Sequence, residues 1–261
     1  MIQKNQENNY SPLDGINAII YIINLDGAIE RRKSVEKELR KTNIPFQFIP
    51  AVDKATIDSL KHKVDNKYKR QLVSAEIACY LSHVKVKKEF LESSYDYAII
   101  FEDDVELLEK FDETVKKAIK DNSSLQEKNQ WDVLKISSHG KKKLIELREI
   151  DSNYALYGGS IAITALAAVW TRKGVTNFLK NTTKNDHVII TMPIDCALQH
   201  PWKYELKINN IVPHITRLQE FESQIGPSRK KRKTSFVRNM NYEISRSIPR
   251  LYFYLKTWLL R

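Results

Sequence analysis

Apolar residues fall along this chain in short unbroken runs, separated by longer stretches in which they recur every three or four positions. Ala18 to Asn24 is apolar at every position but the last and rich in β-branched residues, which predicts a strand covered on both faces. A polar turn follows at Asp26-Gly27. Ile29 to Lys41 is highly charged but carries Val35 and Leu39 one helical turn apart, so a helix is expected there. Phe46 to Ile49 reads as a second strand, ended by Pro50-Ala51-Val52-Asp53. Ser74 to about Leu91 predicts a long helix with Ser74 as its N-cap. Tyr97 to Val105 is again apolar, Phe111 to Lys120 helical, and Trp131 to Ile136 a strand. This alternation predicts an α/β fold with a mostly parallel central sheet and helices on both faces.

Beyond Ser137 the pattern is less regular. Strands are expected at Tyr154 to Gly159 and Ala167 to Thr171, and a helix at Arg172 to Lys180. Pro193 is read as the first position of a short helix, which sets Asp195 in a positively polarised first turn. Tyr204 to Ile208 and Asn210 to Val212 read as two short late strands.

Chemistry enters where the fourth apolar run breaks. Ile99-Ile100-Phe101 is followed at once by Glu102, Asp103 and Asp104. Carboxylates at the carboxyl end of a buried strand sit where open α/β sheets bind ligands. Three adjacent negative charges repel one another, and no basic residue within the run relieves them. A hard divalent cation, Mn²⁺ or Mg²⁺, together with a substrate phosphate would do so. Side chains alternate along a strand, so Glu102 and Asp104 form one possible clamp, and Asp103 with Asp104 another if the strand ends early.

Charge divides the chain. From Gly226 onward ten Lys and Arg face a single acid, Glu243, a net of +9 out of the total +11, and the first 225 residues are nearly neutral. This separates a body, residues 1–225, from a basic and aromatic tail, residues 226–261, expected to form a helix at a membrane surface. Cys79 and Cys196 lie far apart and suit packed thiols rather than a zinc site or disulfide framework. No apolar run spans a bilayer, and residues 1–10 lack the apolar middle of a secretory signal. The expected location is therefore cytoplasmic, peripherally associated with the inner membrane.

Taken together, Tyr21-Ile-Ile-Asn-Leu-Asp with Arg31-Arg32, Pro50-Ala-Val-Asp, Glu76-Ile-Ala-Cys-Tyr-Leu-Ser-His, Ile99-Ile-Phe-Glu-Asp-Asp-Val and Pro193-Ile-Asp resemble, in order and spacing, the family 25 glycosyltransferases of bacterial lipooligosaccharide synthesis. The likeness runs from about residue 17 to residue 225. It implies a GT-A type fold, a UDP-sugar donor, usually UDP-galactose, and a saccharide acceptor on a growing lipooligosaccharide or lipopolysaccharide. By the same resemblance Asn24, Arg32 and Asp53 border the uridine, and Ser82 and His83 lie near the donor. Asp195 is the candidate base for the acceptor hydroxyl. Glu102 and Asp104 are the metal candidates, Asp103 a donor contact, and His214 a late metal or phosphate contact.

Two other readings compete. The basic run Arg229 to Lys233 suits a nucleic-acid-binding protein, but the charge is confined to one end and the acidic motif would repel a phosphate backbone. A metal-dependent phosphoryl transferase could use the same carboxylates, although no Gly-x-x-x-x-Gly-Lys loop is present to cradle a triphosphate. No nucleic-acid partner is expected.

Overall fold

The computed structural model describes residues 15–137, 144–162, 164–219, 221 and 236–259. In chain order the elements are β1 (Ala18–Asn24), α1 (Ile29–Leu39), β2 (Phe46–Pro50), β3 (His62–Val64), α2 (Ser74–Glu92), β4 (Tyr97–Glu102), β5 (Val105–Leu107), α3 (Phe111–Ser124), β6 (Val133–Lys135), β7 (Ile145–Glu149), β8 (Ala155–Gly158), β9 (Ala167–Thr171), α4 (Arg172–Thr182), β10 (Thr183–Lys184), β11 (His187–Ile190), α5 (Ile194–Ala197), β12 (Ile208–Val212), β13 (Thr216–Leu218) and α6 (Phe236–Leu259).

Eight strands form the main sheet in the order β2-β1-β4-β9-β6-β12-β8-β7. The expected parallel pairing holds for β2-β1-β4 and for β6 with β12. It gives way elsewhere: β9 runs antiparallel to both β4 and β6, as do β8 to β12 and β7 to β8, so the sheet is mixed. The reason is local. The chain enters β9 from Leu166, whose carbonyl accepts from the amide of Glu102 at 2.9 Å, so β9 starts where β4 ends and must run back along it.

Alternation along the strands sorts the core into two layers. Ile19 and Tyr21 of β1, with Ala98 and Ile100 of β4, face α2, α4 and α5. Ile20 and Ile22, with Ile99 and Phe101, face Val35 and Leu39 of α1 and Val115 and Ile119 of α3. Helices thus cover both faces, as the apolar runs predicted.

Three boundaries differ in ways that carry a reason. The N-cap of α2 is Val73, not Ser74, because the carboxylate of Glu76 reaches back to accept from the Val73 amide at 3.2 Å. Pro193 caps α5 from outside instead of opening it, though Asp195 still lies in the first turn. The two late strands are one, Ile208–Val212, because Pro201 to Lys203 forms a 3-10 turn that carries Tyr204 into the core.

Candidate active site

The carboxyl ends of β1 and β4 lie side by side, with Ile23 paired to Glu102. Glu102 ends β4, and Asp103 and Asp104 form the turn into β5. Because Ala98 and Ile100 face α2, Glu102 follows them to that side. Its Oε1 stands 3.3 Å from His83 Nε2, and Cys79 Sγ donates to the same oxygen at 3.8 Å. Asp103 turns the other way, accepting from Asn24 Nδ2 at 2.8 Å and from Arg31 Nη1 at 2.8 Å. Arg31 Nη1 also reaches Asp104 Oδ2 at 3.3 Å. Asp104 Oδ1 is buried and has no hydrogen-bond partner among the described residues.

The sequence held no cation inside the acidic run, but the fold brings one from α1. That cation is Arg31; the neighbouring Arg32 donates from Nε to Glu36 at 3.1 Å, and its guanidinium lies 4.0 Å from the centre of the Phe48 ring. The two arginines meet different partners because neighbouring residues on α1 point about 100° apart.

A second cation lies beneath the site. Lys135 of β6 is fully buried and donates to the carbonyl of Thr164, on the loop that leads to β9. Burial pulls its ammonium down to about 8, against the opposing pull of Glu102 and Asp195. Sequence reading passed over it because a lysine in a short apolar strand usually marks an edge. Lys87 of α2 is likewise buried, its ammonium 4.2 Å from the Trp170 ring centre, and burial with the nearby Lys135 lowers it to about 7. Burial and these two cations hold His83 well below the usual histidine range, so its ring is neutral.

The carboxylates respond in the opposite sense. Burial first, then Asp195, raises Glu102 to about 7; burial, then Glu102, raises Asp104 to about 6 despite Arg31. The Glu102 side chain keeps 31% of its exposure, so the turn is open to solvent on that side.

This donor set fits a hard cation. Glu102 and the unpartnered Oδ1 of Asp104 offer carboxylate oxygens, the donor type Mg²⁺ and Mn²⁺ take. Cys79, His83 and Glu102 also gather ligand atoms within 4.8 Å of one another. Burial pushes the Cys79 thiol far above its usual range, which keeps the sulfur protonated and a poor ligand.

The other predicted residues fall around this centre with different degrees of engagement. Asp195, on α5, acts electrostatically on Glu102, His83 and Lys135, and its Oδ1 accepts from the Cys196 amide at 2.8 Å. Ser82 Oγ donates to Ala78 O and accepts from Val52 N, both at 2.8 Å, which pins the loop after β2 against α2. That loop carries Asp53, an exposed turn residue whose Oδ1 accepts from Ala55 N at 2.8 Å. His214, between β12 and β13, has a buried Nδ1 without a partner among the described residues, and burial and Lys135 lower its pKa. No hydrogen bond joins it to Glu102 or Asp104 among the described residues.

Several known proteins are similar to this chain in sequence. A putative glycosyltransferase of Haemophilus influenzae is 28% identical over 183 residues, covering 68% of this chain and 60% of its own length. The lipooligosaccharide biosynthesis protein lic2B of Haemophilus influenzae is 34% identical over 96 residues, 36% of each chain. Procollagen galactosyltransferase 2 of Mus musculus is 25% identical over 166 residues, 55% of this chain and 26% of its own length. The chain thus spans less than two thirds of the length of these relatives. The sequence model of Glycosyltransferase family 25 (LPS biosynthesis protein) matches residues 17–198, a stretch that takes in β1, the acidic end of β4 and Asp195 of α5, and on that match the chain belongs to glycosyltransferase family 25.

Proposed function

We propose that the protein transfers a hexose, galactose, from a UDP-sugar to a saccharide acceptor in lipooligosaccharide or lipopolysaccharide synthesis, with Mn²⁺ or Mg²⁺ at the acidic turn. The observation that carries the metal is Asp104 Oδ1, an orphaned buried acceptor beside a Glu102 whose pKa is raised to about 7. Family membership supports the transfer, the name of the Haemophilus lic2B protein supports the acceptor class, and that of the procollagen enzyme supports galactose.

Glu102 and Asp104 would hold the cation, which when bound offsets the charge that grows on the departing nucleoside diphosphate. Arg31 neutralises Asp103 and fixes it against Asn24, which shapes the β1 and β4 ends that the donor would meet. Asp195 takes the proton of the acceptor hydroxyl. Neutral His83 positions Glu102. The alternatives of nucleic-acid binding and phosphoryl transfer have no comparable support.

Calorimetry against a panel of UDP-sugars, with and without Mn²⁺, tests the reading. Tight metal-dependent binding of UDP-galactose is expected. Metal-independent binding, or none, would remove the metal, and preference for another sugar would remove galactose.

A further inference from the structure

Helix α6 has two opposite faces, and only one meets the rest of the protein. On the inner face Tyr242 is buried, its ring centre 5.1 Å from that of Tyr68, and Arg250 Nη2 donates to Gln199 Oε1 at 2.6 Å. Further along, Tyr254 and Thr257 cover the two glycines at the end of β8, Gly158 and Gly159. A Cβ on Gly158 would stand 2.9 Å from Thr257, and one on Gly159 3.0 Å from Tyr254. The helix is therefore seated, and its seat is cut to fit it.

The outer face is different in kind. Met240, Ile244, Ile248, Leu251, Leu255 and Trp258 recur at intervals of three and four, and each is between 45% and 69% exposed. At 3.6 residues per turn these six fall within roughly a quarter of the helix circumference. A continuous apolar stripe of this length rarely faces water without a partner. The one acid of the helix, Glu243, lies off the stripe and pairs with Arg246 at 2.7 Å.

The charge of the segment selects the partner. Residues 226–261 carry +9, exposed Lys256 lies near the stripe, and the run Arg229 to Lys233 precedes the helix in sequence. A second copy of this chain would bring the same positive charge against it. No described helix is long and apolar enough to cross a membrane. An acid-free apolar stripe holding Trp258, on a basic segment, matches the surface of an anionic bilayer.

We propose that α6 is an interfacial anchor whose outer stripe sinks into the acyl boundary of an anionic bilayer while its inner face stays seated on the domain. The Tyr242 ring centre also lies 6.3 Å from that of His200, three residues past the end of α5, the helix that carries Asp195. A bilayer on α6 is thereby held in fixed relation to α5, the orientation a lipid-linked acceptor requires. Only this last consequence rests on the proposed function.

The test is cosedimentation of the full-length protein with vesicles of phosphatidylethanolamine and phosphatidylglycerol, or of phosphatidylcholine alone, with the variant Ile248→Ser/Leu251→Ser/Leu255→Ser alongside. The wild type is expected to partition to the anionic vesicles, with its tryptophan emission quenched by brominated acyl chains. The variant should lose about tenfold or more in partition with an unchanged melting temperature, since the three side chains are exposed. Absence of wild-type binding overturns the proposal, as does equal partition of the variant or equal binding to phosphatidylcholine. A wild-type dimer that the variant dissolves, with vesicle binding unchanged, would assign the stripe to a second copy. Vesicle binding is read without sugar transfer, so its failure leaves the donor chemistry standing, and failure of transfer leaves the anchor standing.

Discussion

Arg31 Nη1 stands 2.8 Å from Asp103 Oδ1 and 3.3 Å from Asp104 Oδ2, so the helix after β1 supplies the cation that the acidic turn after β4 lacks. The pair is nearly enclosed, with side chains 12% and 10% exposed for Arg31 and Asp103. Removing one member of an enclosed pair leaves the other charge without compensation. Arg31→Ala should therefore cost roughly 3 kcal/mol, seen as a lower melting temperature, and Mn²⁺ should restore part of it. An unchanged melting temperature would show that solvent already screens the acids.

Metal affinity should follow pH. Glu102 and Asp104, raised to about 7 and about 6, hold protons that a cation must displace. Mn²⁺ affinity is expected to climb from about pH 5 to about pH 7 and level off above, with proton release on binding. Stability of the metal-free protein runs the other way. Each folded carboxyl has a pKa above its unfolded value, so its contribution is lost as pH rises from the ordinary values of 4.5 and 3.8 to about 7 and about 6. Glu102→Gln should flatten the upper part of both profiles, read by calorimetry in buffers of different ionisation enthalpy.

Lys135 opposes the rise in Glu102, so Lys135→Met should push the midpoint of that Mn²⁺ profile to higher pH. The lysine also has its own signature. Its folded pKa, about 8, lies below the ordinary lysine value of 10.5, so the cost of burying it is present below pH 8 and is relieved as pH rises toward 10.5. The stability difference between wild type and variant should change across that alkaline window and stay constant below it, as urea unfolding at a series of pH values would reveal.

Asp195→Asn keeps the shape of the first turn of α5 and removes the proton acceptor. Turnover of UDP-galactose and acceptor is expected to fall by about 10²-fold or more, with donor affinity nearly unchanged. A matching loss of donor affinity would instead make Asp195 part of the donor or metal site.

Gly159 has φ +80°, and a Cβ there would stand 2.9 Å from Ile145 Cδ1 and 3.0 Å from Tyr254 Cδ2. Gly159→Ala should destabilise the protein by about 1–2 kcal/mol, from backbone strain and from lifting α6 off its seat. Faster proteolysis within α6 than in the wild type would distinguish the second cause from the first.

The sequence by itself determined the elements that build the site, because their signals are local. The apolar runs of β1 and β9 were legible to the residue, and α1, α2, α3 and α4 were placed to within a few positions. It also determined the family, since five short motifs in order need no structure to be read, and the acidic turn, since three carboxylates after an apolar run stand out. It did not determine strand direction, because a buried run reads the same either way, and so the antiparallel course of β9 was missed. Nor did it single out Arg31 as the partner of Asp103 and Asp104, which depends on how that residue is turned around α1. Only the tertiary structure decided which charges meet. Arg31 meets the carboxylates and Lys135 acts on them electrostatically from elements distant in sequence, and electrostatic compensation depends on distance in space and burial, neither of which is written in the order of residues.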